Sequence, residues 1–195
     1  MTKSDSIKWP RFKLIIGLGN PGEKYAKTYH NTGFLALEYL KNHLISRDQK
    51  FKKIIPFEYI KINNLILIKP TLFMNQSGRC ATKAISFFKT PKEKMLVIHD
   101  DSDLNIGRYK LDFDRGAAGH KGVISIIESL KTKKIWRLRI GIRPKTAEPN
   151  QPASFLPNKI KSGALVLKKI SPRDYSILES IFGELILKLI KKEKP

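Results

Sequence analysis

Acid–base chemistry at neutral pH needs a group that exchanges a proton there, and this chain holds few. Its four histidines are His30, His43, His99 and His120, its one cysteine is Cys80, and its densest acidic run is Asp100-Asp101-Ser102-Asp103. A neutral imidazole, with an ordinary pKa of about 6.5, can take a proton from water, and a carboxylate accepting the other ring N–H holds the basic tautomer. His30 is the candidate base. Asp100, at the carboxyl end of a predicted buried strand, is the candidate orienter. Asn20 and Asn75 carry amides that can both donate and accept, and their N–H groups could donate to a developing oxyanion. The set suits general-base activation of a water.

Plainer readings compete with each residue. A lone histidine is more often a satisfied polar group than a catalyst. Asp101 and Asp103 read as turn and cap residues, and His99 adds little to a metal site because neighbours on a strand point to opposite faces. Ser77 has no G-x-S-x-G elbow, so no covalent acyl-enzyme is predicted. Cys80 falls in a predicted helix and reads as a small core residue; one cysteine excludes an intramolecular disulfide framework.

Alternating strands and helices must position these groups. Phe12–Leu18, Met95–Asp100, Gly107–Phe113 and Trp136–Ile142 read as strands. Phe57–Ile62 and Leu65–Lys69 flank Asn63-Asn64, a pair tolerant of positive φ, and predict a hairpin. Helices are expected over Thr32–Ser46, Ser77–Lys89, Val123–Lys131 and Arg173–Lys192. The pattern is that of an α/β domain with a mixed sheet. Residues 1–195 read as one domain, with 1–11 a loosely ordered N-terminal extension and the proline-rich 148–157 a surface loop able to act as a lid.

The chain has 195 residues, with 38 Lys+Arg against 17 Asp+Glu and a formal net charge of +21. That field favours a polyanion, and nucleic acid better than a membrane surface. The expected setting is soluble and cytoplasmic, since no apolar run approaches the ~20 residues of a bilayer span. Gly17-Leu18-Gly19-Asn20-Pro21-Gly22 fits the dinucleotide fingerprint G-x-G-x-x-G. However, Pro21 removes an N–H from the phosphate cradle, the next helix starts near Thr32, and no acidic residue ends a second strand some 20 positions on. No nicotinamide or flavin is expected.

Leu18-Gly19-Asn20-Pro21-Gly22, Tyr25, His30-Asn31-x-Gly33, Phe73-Met74-Asn75-x-Ser77-Gly78, His99-Asp100-Asp101-x-Asp103, Gly119-His120-Lys121-Gly122 and Arg137-Leu138-Arg139-Ile140-Gly141 occur in that order. This set resembles the bacterial-type peptidyl-tRNA hydrolase family. The resemblance implies a monomeric three-layer α/β/α domain around a central mixed sheet. It also implies release of tRNA from peptidyl-tRNA by ester hydrolysis, with tRNA as partner and neither metal nor cofactor. It makes His30, Asp100 and Asn20 catalytic and assigns Tyr25, Phe73, Asn75, Lys121 and Arg139 to the peptide and tRNA.

Three positions depart from the family pattern. Lys121 stands where it has Asn, so that three donors and no acceptor replace an amide. Tyr29 stands where an arginine usually precedes the histidine. Asp112 stands where a basic residue helps Arg139 to clamp the tRNA 5′-phosphate, and Lys110, on the same strand face, is the expected substitute. The Lys121 departure keeps a second reading in view, a non-catalytic RNA-binding protein on the same fold.

Overall fold

A computed structural model describes residues 9–46, 48–144 and 162–190. Its seven strands are β1 (Leu14–Gly17), β2 (Lys52–Ile54), β3 (Phe57–Ile62), β4 (Leu65–Pro70), β5 (Met95–Asn105), β6 (Tyr109–Phe113) and β7 (Trp136–Arg143). They form one sheet in the order β2-β3-β4-β1-β5-β7-β6. The central four, β4, β1, β5 and β7, run parallel, whereas β2, β3 and β6 pair antiparallel at the two sides. Parallel strands are buried on both faces, which is why Leu14-Ile15-Ile16 and Met95-Leu96-Val97-Ile98 are continuously apolar rather than alternating.

The helices α1 (Thr32–Leu44), α2 (Ser77–Phe87), α3 (Lys121–Leu130), α4 (Ser162–Val166) and α5 (Pro172–Ile190) complete the fold. On one face of the sheet, Ile15, Leu96, Ile98 and Leu138 pack against Leu37 and Leu40 of α1 and Leu178, Phe182 and Leu185 of α5. On the other, Leu14, Ile16, Ile68 and Val97 meet Ala81 and Ala84 of α2 and Val123 and Ile126 of α3. Each fully buried aliphatic side chain contributes about 1.5–3 kcal/mol, so the two apolar faces fix the three-layer α/β/α order.

The expected hairpin is present, with Asn63 at φ 49° in its turn. Two expectations need correction, and one strand is additional. β5 does not end at Asp100 but continues to Asn105, because β7 supplies partners through Gly141 and a register shift absorbs the irregularity. β6 starts at Tyr109, not Gly107, whose φ of 85° belongs to the turn before it. β2 went unforeseen: it is a three-residue edge strand of mostly exposed side chains and carries no apolar signal. Of the expected N-terminal extension, residues 1–8 lie outside the described residues, while Trp9 is 9% exposed and packs in the core. The 148–157 loop also lies outside them.

One close approach places the active segment. Gly22 leads not into an α-helix but into short 3-10 turns at Glu23–Tyr25 and Tyr29–Asn31, after which α1 begins at Thr32. Gly17 and Gly33 touch backbone to backbone, and a Cβ on Gly33 would overlap Leu18 N and the Ile98 carbonyl. Neither neighbour is a side chain that can swing aside. Gly33→Ala is expected to destabilise the protein by about 3 kcal/mol, lowering Tm by roughly 6–12 °C in calorimetry. An unchanged Tm would mean that the helix start does not bear on the strands in this way.

Candidate active site

The parallel strands deliver loops to one edge of the sheet, as open α/β folds do. Asn20 follows β1, Asn75 lies in the 3-10 turn Met74–Gln76 between β4 and α2, Asp100 is in β5, and His30 sits in the turn that precedes α1. His120, the residue before α3, caps that helix by accepting the Val123 N–H at its Nδ1.

Asp100 is 1% exposed. Its Oδ1 lies 3.0 Å from His30 Nδ1 and 3.0 Å from His120 Nε2, and its Oδ2 lies 3.1 Å from His30 Nδ1. The tautomers follow from these partners. His120 Nδ1 is an acceptor, so its Nε2 carries the proton donated to Asp100. A carboxylate has none to give, so His30 Nδ1 donates and its Nε2 keeps the lone pair of a base. Burial alone would push the Asp100 carboxyl up, but the facing His120 and His30 overcome that and hold it well below the usual carboxylate range. The two imidazoles are neighbours, with ring centroids 4.9 Å apart.

Asn20 is held by its own polar atoms. Its Oδ1 accepts the Met74 N–H at 2.8 Å, which orients the amide and leaves Nδ2 as the donor. Asn31 brackets the same residue: its Oδ1 accepts the Asn20 N–H at 2.8 Å and its Nδ2 donates to the Asn20 carbonyl at 3.0 Å. A cleft of about 560 Å³ is lined by Asn20, Tyr25, His30, Phe73, Asn75, Asp100, Lys121 and Arg139, so all eight residues chosen from the sequence share one wall system. The Tyr25 and Phe73 rings meet edge to face at 6.2 Å, and Phe73 is 54% exposed. Lys121 is exposed beside them.

Arg139 is less available than expected. Its Nε is paired with Asp101, and its Nη1 lies 2.7 Å from Asp112 Oδ2. Asp112 thus does not simply leave half a clamp empty; it takes up the arginine, and a phosphate would have to displace it. Lys110, exposed on β6, stands directly opposite Arg139 in register. Asp101 also accepts the Asp103 N–H at 2.7 Å. His30, Asp100 and His120 each place a ligand atom within 4.8 Å of the others. A divalent ion could sit there only by displacing the protons of the two hydrogen bonds to Asp100.

Two residues of the site had no role assigned from the sequence. Asn31 adjoins the candidate base at a helix start, a position where asparagine side chains habitually bond to backbone. His120 stands just ahead of a predicted helix, which is a capping position.

The structure defines a class: an α/β protein with a mixed sheet and a buried aspartate that bonds two histidines in one cleft. The chain belongs to the peptidyl-tRNA hydrolase family, whose model matches residues 14–191. It is 40% identical over 172 residues to "Peptidyl-tRNA hydrolase" of Mycoplasma mycoides subsp. mycoides, covering 87% of each chain. It is 43% identical over 159 residues to that of Mesomycoplasma hyopneumoniae, covering 80% of this chain and 85% of the relative. Among solved structures, peptidyl-tRNA hydrolase from Acinetobacter baumannii superposes with a TM-score of 0.74 at 26% identity, over 93% of this chain and 90% of that one.

His99 provides a test of this packing. Its Nδ1 lies 2.7 Å from the Asp100 carbonyl and it is 2% exposed. Burial, reinforced by His120, holds its pKa well below the ordinary value against the pull of Asp100. The unfolded chain therefore binds the extra proton below about pH 6.5, and stability should fall on acidification through that pH by up to about 1.4 kcal/mol per pH unit. Urea unfolding at about pH 7, 6 and 5 should show this slope in the wild type and a flatter one in His99→Gln. An equal slope in both would assign it to another group.

Proposed function

We propose that this protein hydrolyses the ester between peptide and tRNA in peptidyl-tRNA, releasing free tRNA, with His30 as general base on water. The supporting observation is the His30 Nδ1–Asp100 contact at 3.0 Å, buried at the inner wall of a cleft flanked by Asn20 and Asn75. Water entering the cleft gives a proton to His30 Nε2 as its oxygen attacks the ester carbonyl. The oxyanion is met by the Asn20 amide N–H, already oriented by Met74, and by Asn75. Collapse expels the terminal ribose oxygen of the tRNA, which takes the proton back from the imidazolium. Asp100 does not give up its charge in this cycle; it stabilises the imidazolium and keeps the ring in register.

Tyr25 and Phe73 form the aromatic part of the cleft against which the substrate end lies. Lys121 meets a phosphate or the ester carbonyl, and the wider basic surface, net +21, holds the acceptor stem. No helix among the described residues is long and apolar enough to cross a membrane. The non-catalytic alternative is not favoured, since the relatives and structural neighbours are peptidyl-tRNA hydrolases despite Lys121 here.

Release of tRNA from N-acetylated aminoacyl-tRNA, beside unblocked aminoacyl-tRNA, tests the reading. The blocked substrate should be turned over, and His30→Ala should lower kcat by about 10²–10⁴ while keeping tRNA affinity. No release by the wild type, with tRNA bound tightly at low salt, would overturn the catalytic reading in favour of a binding protein. Lys121→Asn should weaken tRNA binding and reduce the log–log salt slope by about 1. Identical slopes would remove Lys121 from the phosphate contacts.

A further inference from the structure

The turn that carries His30 is a single 3-10 turn, Tyr29–Asn31, too short to fix its own side chains. It is held from both sides. Asn31 ties it to Asn20, as described. Tyr29, on the other side of His30, has all of its polar groups engaged with different residues. Its N–H donates to the Lys168 carbonyl at 3.1 Å, its carbonyl accepts from Thr32 Oγ1 at 2.6 Å, and its hydroxyl donates to Asp174 Oδ2 at 2.5 Å. The ring is buried against Ile142 and Leu165.

Asp174 lies in the first turn of α5, its own N–H donating to Ser171 Oγ at 3.1 Å. The segments around the pair are stitched together as well. Ile170 N donates to the Lys27 carbonyl at 2.8 Å, and Lys169 Nζ donates to the Lys24 and Ala26 carbonyls at 3.0 and 2.6 Å. These bonds give the second segment a course along the active turn. The Tyr29–Asp174 bond joins the residue just before His30 directly to the first turn of α5. That helix is itself fixed in the core by Leu178, Phe182 and Leu185.

We infer that the Tyr29 hydroxyl and the Asp174 carboxylate form a positioning strut that holds the His30 turn against Asp100. Tyr29 and Asp174 are positioning residues: neither lines the cleft. The inference rests on His30 being the base. A hydrogen bond to a carboxylate is among the stronger kinds, and a turn displaced by a fraction of an ångström lengthens the His30 contact on which proton transfer depends. The phenol stays a donor throughout the working pH range, its pKa being pushed up to about 12 by burial and by Asp174.

The test is a cycle of Tyr29→Phe, Asp174→Ala and the double variant, with Asp174→Asn as the conservative control. Tyr29→Phe keeps the ring packed and removes only the donor. Each single change should lower kcat about tenfold, the loss of one charge-assisted hydrogen bond, with KM within about twofold. The double variant should lose no more than either single one. Asp174→Asn, whose amide oxygen still accepts, should stay within about threefold of wild type. Amide hydrogen exchange in the 24–32 segment should quicken about tenfold in Tyr29→Phe, with α5 unchanged. Unchanged kcat in Tyr29→Phe, multiplicative losses in the double variant, or a rise in KM alone would overturn the strut. If the wild type itself shows no turnover, the base assignment fails instead, and the exchange measurement still decides whether the strut holds the turn.

Discussion

A carboxylate buried to 1% exposure has to be satisfied, and much of the site follows from how Asp100 meets that demand. Left with one donor it would be a strongly destabilising charge, since removing a partner from a buried pair typically costs about 3–5 kcal/mol. His30 and His120 both donate to it, and each belongs to a different segment, one leading into α1 and the other capping α3. The same bonds set the tautomers of both rings. The proton positions that leave His30 Nε2 with its lone pair are therefore a by-product of solvating a buried charge, and the helix cap at Val123 completes the chain of constraint.

The sheet makes such burial possible. Four parallel strands with helices on both faces place β5 inside the sheet, between β1 and β7, where a buried polar side chain must find its partners within the protein. The loops leaving β1 and β4 then reach the same edge. Gly17 and Gly33 let α1 begin against β1, so that the His30 turn lies close enough to meet Asp100. Asn31 and Met74 orient Asn20 through its backbone and its side chain respectively. A site assembled from short turns is held rigid by hydrogen bonds between them rather than by the turns themselves.

Electrostatics divides between the surface and the cleft. The net charge of +21 acts at long range on a polyanion. Inside, Arg139 is balanced by Asp101 and Asp112, while Lys121 at the cleft and Lys110 on β6 are exposed.

The apolar runs and the glycine and asparagine turns sufficed by themselves to determine an α/β fold, the helix start at Thr32 and the hairpin at Asn63, while the family resemblance carried by the ordered motifs picked out eight side chains that share one cleft. These are legible because they depend on local periodicity, on positive-φ tolerance and on residue types confined to short segments. β2 was not, since a short exposed edge strand has no apolar pattern to read, and the true length of β5 depended on partners supplied by β7. Tertiary structure alone decided that His120 shares Asp100 with His30, that Asn31 braces Asn20, and that Asp112 occupies Arg139. It also decided that Tyr29 reaches Asp174, which is 145 positions away along the chain. Each is a pairing of polar atoms between distant segments, and which donor meets which acceptor is settled only when the sheet order brings them within 3 Å or so of one another.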